Sequence, residues 1–382
     1  MRRIAPFVAA LLALLALPAV AGARTIHVHR GDSIQKAVDR AHPGDTILVD
    51  AGTYKQSGRP CPTEPGHKCA VLIRDDRIRL VGKTRRHRRT VLKAKSGQDE
   101  GIAVVGSKDP SCVGDRSKRL HRSVIRGLTV KGFEDDGLFL YCVDHFHVTH
   151  VRAIGNAEYG IFPSHSVSGR VDHSLASGAN DTGIYVGQSR RVEVDHNVAR
   201  KNVSGFEIEN SSRVRDHHNL ATGNTGGILT FALPNLDVKS NHDNRIDHNR
   251  VIRNNKKNTC LDPSDTVCQV PSGTGILLVA ADRNQVQANR VTRNRSFGIG
   301  VVNYCVAVSL PSSECAKLDI EPNPDGNRIT RNRVRGNGFN PDLPPAFTVF
   351  AKDLAWDTSG TGNCWSKNKF RTSFPSSLPS CP

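Results

Sequence analysis

Asp181-Thr182-Gly183-Ile184-Tyr185-Val186-Gly187 is answered 22 residues later by Val203-Ser204-Gly205-Phe206-Glu207-Ile208-Glu209, and after 22 more by Thr225-Gly226-Gly227-Ile228-Leu229-Thr230-Phe231. Each segment places a glycine before residues that alternate inward and outward, the pattern of a short strand. Working outward, Gly137-Leu138 and Gly160-Ile161 precede the series, and Gly275-Ile276 and Gly298-Ile299 continue it at steps of 22 or 23. One longer step, from Gly227 to Gly275, holds two insertions, around Pro234–Asp243 and Asn255–Ser272. Gly101-Ile102 opens the series, with its surplus in a loop around Asp109–His121.

A second series runs out of phase with the first: Val171-Asp172-His173-Ser174, Val194-Asp195-His196-Asn197, Asp216-His217-His218-Asn219, Ile246-Asp247-His248-Asn249, Val286-Gln287-Ala288-Asn289 and Ile329-Thr330-Arg331-Asn332. A unit with at least two short strands and no helix between them cannot be βαβ. Stacking one unit on the next gives parallel sheets around an apolar column. The fold predicted is all-β, a right-handed parallel β-helix. Asn197, Asn219, Asn249, Asn289 and Asn332 fall at one turn, where Asn is expected to take left-handed geometry and bond along the coil. A short helix at Ile34–Val38, capped by Asp32 or Ser33, is expected to cover the open edge of the first rung. The rungs are clearest over 101–340, and 341–382 is expected to close the other end of a single domain spanning 24–382.

Met1-Arg2-Arg3, the apolar run Ile4–Val20 and the small-residue site Ala21-Gly22-Ala23 read as a secretory signal peptide over 1–23. The chain is therefore expected to be secreted, extracellular and free of the membrane after cleavage. It carries a net charge of +17. For an exported chain this favours an acidic polysaccharide partner over nucleic acid, for which no motif is present. A monomer is expected. Ten cysteines in an exported chain suggest five disulfides. Their spacing favours neighbours: Cys61–Cys69, Cys112–Cys142, Cys260–Cys268, Cys305–Cys315 and Cys364–Cys381, stapling inserted loops.

With the rungs in register, the residues one and three after each anchor glycine point inward. The outward column two after it is Phe139, Phe162, Tyr185, Glu207 and Leu229. Four after it come Tyr141, Ser164, Gly187, Glu209 and Phe231. Asp135, Asp136, Glu158 and Asp181 sit just before the glycines. An aromatic strip beside a line of carboxylates suits sugar rings, acid–base chemistry or Ca2+. Asp181, Glu207 and Glu209 are the catalytic candidates. Phe139, Phe162, Tyr185, Asp135, Asp136, Glu158 and His165 are the binding candidates. His150, His173, His196, His218 and His248 recur once per rung, and a solvated turn explains them better than a metal stripe.

The stretches Glu158–Pro163, Ser177–Ser189, Gly205–Ser211 and Asn224–Leu229 resemble a family of exported parallel β-helix repeat proteins of the pectin-lyase-like superfamily. That resemblance spans roughly residues 25–340 and implies the fold rather than one activity. Val171-Asp172-His173-Ser174 is similar to a segment of pectate lyases, which cleave acidic polysaccharide by β-elimination with Ca2+. The Asp-His pair recurs at Asp195-His196 and Asp247-His248, as a repeat element would. Tyr159-Gly160-Ile161-Phe162-Pro163-Ser164-His165 resembles the Tyr-Gly-x-Asp-Pro-His motif of alginate C5-epimerases, with Phe162 in place of the Asp and Ser164 additional. The polygalacturonase pattern is represented only by Asp135-Asp136. The chain also shares its exported coil with the β-helix accessory protein of nitrous-oxide-reductase maturation, without a motif specific to copper.

Two functions follow. One is a lyase-like enzyme on acidic polysaccharide, in which Asp181, Glu207 and Glu209 hold Ca2+ against a uronate and a base removes the C5 proton. The other is a non-catalytic glycan-binding or accessory module using the same face. A purely structural role is the third alternative, since fold does not dictate function.

Overall fold

A computed structural model describes residues 22–85 and 88–382. The expected leader lies outside these residues except for Gly22 and Ala23. The chain coils into three long parallel sheets, of twelve, ten and twelve strands among the described residues. Each rung contributes one strand to each sheet in turn. One rung, for example, runs Arg170–Asp172, Leu175–Ser177 and Thr182–Gly187. This is a right-handed parallel β-helix, the hand that parallel crossovers take almost without exception.

The glycine series sets the register of the third sheet. Ile184 pairs with Phe206, Phe206 with Ile228, and Ile228 with Ile276. Ile102, Leu138, Ile161, Ile184, Phe206, Ile228, Ile276 and Ile299 form one buried column along the axis. The anchors are glycine because neighbouring rungs leave no room. A Cβ on Gly205 would sit 2.5 Å from the Gly227 carbonyl oxygen and 2.9 Å from Asn224 Nδ2.

Polar ladders hold the three corners. Between the first and second sheets, Asn197 N–H donates to Asn219 Oδ1, and the pattern repeats through Asn249, Asn289 and Asn332. A second ladder runs through Asn202, Asn224, Asn254, Asn294 and Asn337. At the third corner the hydroxyls of Ser189 and Ser211 accept from Ser166 and Ser189 N–H in one short ladder, and three residues further along the rung a separate one begins at Asn244, which accepts from Val214 N–H, and runs through Asn284 and Asn327. Each buried Asn amide thus satisfies backbone groups on the rung before it.

The left-handed position is not where the sequence placed it. It belongs to the residue before the ladder position, which is Val151, Ser174, Asn197, Asn219 and Asn249 in turn: His150, His173, His196, His218 and His248, with φ from 47° to 58°. The histidine backbone makes the bend, which turns the following residue, Asn197, Asn219 or Asn249 in three of the rungs, inward to its ladder. The imidazoles of these five stack face to face at 5.1–5.2 Å between centroids. His173, His196 and His248 are about half exposed.

The helix Ile34–Asp39, capped by Ser33, buries Ile34, Ala37 and Val38. It packs on Lys68–Ile73, the first parallel strand of the third sheet. The Gln35 amide accepts from Leu72 N–H and donates to Leu72 C=O, standing in for the missing neighbour strand. At the other end, Leu354–Trp356 and Cys364–Ser366 extend the third and first sheets by one more turn. The five disulfides are Cys61–Cys69, Cys112–Cys142, Cys260–Cys268, Cys305–Cys315 and Cys364–Cys381, and no cysteine is free. No helix among the described residues is long and apolar enough to cross a membrane.

Candidate functional site

The outward face of the third sheet forms the floor of a groove of about 610 Å3. That volume accommodates a small ligand. Tyr185, Glu207, Leu229, Leu277, Gly300 and Ala355 lie along one floor column, rung above rung, beside Glu209, Phe231, Val279 and Val302. Three insertions raise the walls. Residues 265–271 belong to the loop stapled by Cys260–Cys268, and residues 304–309 lead into the Cys305–Cys315 loop. The third wall holds Leu343, Pro344, Phe347 and Phe350.

The groove has two chemically distinct halves. One carries Glu158, Tyr159, Asp181, Tyr185, Glu207 and Glu209. The other is apolar: Leu229, Phe231, Leu277, Val279, Phe297, Val302 and Phe347. No Lys or Arg lines it among the described residues, although the chain as a whole is strongly basic. The basic side chains lie elsewhere. Arg170, Arg215 and Arg245 on the first sheet, for example, pair with Asp195 and Asp247.

Burial without a cation sets the state of the acids. Glu207 is pushed up to about 7 by desolvation, against hydrogen bonds from Ser204 and Thr182. Glu209 is pushed up to about 8 by desolvation, opposed by the Tyr185 hydroxyl and reinforced by the charge of Glu207. Desolvation and then the Glu207 charge raise Asp181 well above the carboxylate range. Near neutral pH the groove therefore holds proton-bearing acids beside ionisable ones, the pairing that general acid–base chemistry needs.

Five of the ten residues singled out from the sequence meet at this groove: Glu158, Asp181, Tyr185, Glu207 and Glu209. The aromatic strip is not the open surface that the outward alternation suggests. Phe162 stacks on Tyr185 at 4.5 Å and touches Phe139 at 5.2 Å, while Phe139 and Tyr185 are only 5% and 6% exposed. Phe139, Phe162, Asp135, Asp136 and His165 do not line the groove. His165 is buried, with Nε2 bonded to Asp237 Oδ2 at 3.0 Å. Together with Gln188 and Asn210 one and two rungs on, it pins the loop from Leu233 to Val238, and Leu233 reaches the groove wall. The Asp172 segment is structural: its carboxylate accepts from Thr149 and meets His147 Nε2 at 2.8 Å. Sequence reasoning placed Leu229 and Phe231 outward without giving them a role, and missed the rest of the apolar half and the three walls. Its only signal for the walls was the position of the insertions and their cysteines.

Solved structures of low identity share the fold. The A-module of mannuronan C-5 epimerase AlgE6 from Azotobacter vinelandii matches at 16% identity, covering 89% of this chain and 90% of that one, with a TM-score of 0.60. A mutant tailspike protein of E. coli bacteriophage HK620, solved with a pentasaccharide, matches at 11% identity and a TM-score of 0.59, covering 85% of this chain and 55% of that one. DFA-IIIase from Arthrobacter chlorophenolicus A6, solved without its lid and with GF2, matches at 13% identity and 0.51, covering 86% and 88%. None of the curated protein sequences matches. The family model described as periplasmic copper-binding protein (NosD) matches residues 119–369, from the disulfide loop after Cys112 to the last corner ladder. With well over half of its length so matched, and its five disulfides marking an exported protein, this β-helix belongs to the NosD family.

Proposed function

We propose that this exported β-helix binds an oligosaccharide in the groove of its third sheet, with Glu207 and Glu209 supplying acid and base at one glycosidic linkage. One observation carries the reading. Two buried carboxyls with raised pKa values lie two residues apart on one strand, beside Tyr159 and Tyr185, in a groove without a basic side chain. The aromatic and apolar floor suits the faces of sugar rings. A protonated Glu209 can donate to a leaving oxygen while a neighbouring ionised carboxyl activates water or attacks.

The electrostatics favour a neutral glycan. A uronate would meet Asp181, Glu207 and Glu209 with no Lys or Arg to neutralise it. β-Elimination on acidic polysaccharide therefore depends on a cation, Ca2+ being the natural one, held by those three carboxylates. Polysaccharide appears only in what the structural neighbours act on or were solved with, and those neighbours establish the fold alone. Release beyond the cell, to extracellular glycan, belongs to the same proposal.

The family description raises copper. Copper(I) selects thiolate and thioether ligands. All ten cysteines are in disulfides, and the one methionine is Met1, outside the described residues. Glu193, Asp195 and His217 lie close enough to share an ion. Yet Arg170 clamps Asp195 through Nε and Nη2, both at 2.7 Å, and His217 Nε2 is bonded to Glu193 at 2.8 Å. The residues present do not fit a soft copper site.

A glycan-array screen followed by product analysis tests the proposal. The wild-type chain is expected to retain and cleave a neutral glycan. Glu207→Gln and Glu209→Gln should each lose roughly a hundredfold or more in turnover, and Tyr185→Ala should weaken retention. Retention without cleavage, unchanged by both amides, would leave a binding module only. No retention of any glycan would end the reading.

A further inference from the structure

We propose a divalent-cation site of the Zn2+ and Mn2+ class at the N-terminal end of the carboxyl row, formed by Glu64, His67, Glu100 and Asp135. It is separate from the proposed glycan site.

Glu64 and His67 both lie in the loop Cys61-Pro62-Thr63-Glu64-Pro65-Gly66-His67-Lys68-Cys69, which the Cys61–Cys69 disulfide closes. The loop hangs from the first strands of the third sheet, where Arg59–Pro60 pairs antiparallel with Lys68–Cys69. Its position brings His67 to the Asp135 carboxylate of the third sheet's edge. His67 Nδ1 lies 3.0 Å from Glu64 Oε2 and 3.4 Å from Asp135 Oδ2, aligned for a hydrogen bond to neither. One ligand atom from each of the three falls within 4.8 Å of the others. Spacings of about 3.0–3.5 Å are those between neighbouring donors around an ion with bonds of about 2.0–2.2 Å.

A second observation is independent of this trio. Glu100 is 2% exposed, its carboxyl meets that of Asp135, and its Oε2 has no hydrogen-bond partner. A buried carboxylate oxygen without a partner is costly to keep. No Lys or Arg forms an ion pair with Glu64, Glu100 or Asp135 among the described residues. This distinguishes the cluster from Glu193, Asp195 and His217, which arginine already neutralises. A dication would satisfy Glu100, balance the facing carboxylates and take His67 as its nitrogen ligand. One imidazole with carboxylates fits Zn2+ or Mn2+ better than Ca2+, which takes oxygen ligands. Through Asp135 the site adjoins Glu158, which lines the groove.

The test is calorimetric titration of the chelator-treated full chain with ZnCl2, MnCl2 and CaCl2 in separate runs, with thermal melts beside each. The expected result is one saturable equivalent of Zn2+ or Mn2+ that raises the melting temperature, with CaCl2 much weaker. His67→Ala and Asp135→Asn should each weaken that equivalent about tenfold or more. His67 is one-third exposed, so His67→Ala should keep the metal-free melting temperature of the wild type. No saturable equivalent of either metal, or one that both variants leave unchanged, would overturn the proposal.

Discussion

Raising the pH from about 5 to about 9 is expected to lower the melting temperature of this fold, against the ordinary experience that proteins weaken in acid. The cause is the buried carboxyl row. Glu207 and Asp135 are pushed up to about 7, and Glu100, Glu158 and Glu209 up to about 8, all chiefly by desolvation. In the unfolded chain the same groups release their protons near 4 to 4.5. Between roughly pH 4.5 and 8 the folded chain therefore binds more protons than the unfolded one. Stability falls as pH rises through that window, by about 1.4 kcal/mol per pH unit for each group still protonated, and levels off above it. Asp45 and Asp50 work the other way. Hydrogen bonds from Arg24 hold Asp45 well below the usual range, and Lys83 holds Asp50 at about 2, so their contribution is lost only in strong acid. The optimum should lie near pH 5. Glu209→Gln should flatten the alkaline decline and, at pH 9, stabilise the fold by on the order of 2–4 kcal/mol. A melting curve across pH 4–10 for both chains measures this. The same amide should cut turnover roughly a hundredfold or more, and acids kept at a cost to stability are characteristic of functional sites.

Asn224→Ala is expected to destabilise the fold by about 4 kcal/mol, measured by denaturant unfolding at pH 6. Asn224 is fully buried in the second corner ladder. Its Oδ1 accepts from Asn202 N–H and Nδ2–H, and its Nδ2 donates to Ala199 C=O and Asn254 Oδ1. Alanine leaves Asn202 N–H and Ala199 C=O buried without partners, at about 1–3 kcal/mol each, and removes the side-chain link to the next rung. Thr222→Ala, two residues earlier at a half-buried position, should cost far less.

These two expectations mark what the sequence could and could not show. Gly183, Gly205 and Gly227 announce the rungs because the approach of neighbouring backbones admits no Cβ there. The Asn197 series was visible for the same reason, as a single residue type repeated at one turn. Asn202 and Asn224 carry an equal signal, each three residues before an anchor glycine. Left-handed geometry went to the histidines because the ladder needs the Asn side chain turned inward, and residue propensity alone does not contain that constraint. Glu207 and Glu209 could be placed on one face by alternation. Their enclosure could not, because it depends on where the 265–271, 304–309 and 343–350 segments land after folding. Phe139 and Phe162 show the converse: outward in the strand pattern, yet covered by one another. His67 was invisible for a different reason. Its neighbour Asp135 lies 68 residues away, and only the coil brings it under the Cys61–Cys69 loop.

The central claim is that the third-sheet groove is the glycan site. Hydrogen–deuterium exchange with and without the best-retained oligosaccharide tests it most directly. Binding in the groove should slow exchange in all three walls, 265–271, 304–309 and 343–350, and leave the turns at His173, His196, His218 and His248 unchanged. Saturating glycan with no protection in the walls, or protection confined to the histidine turns, would contradict it.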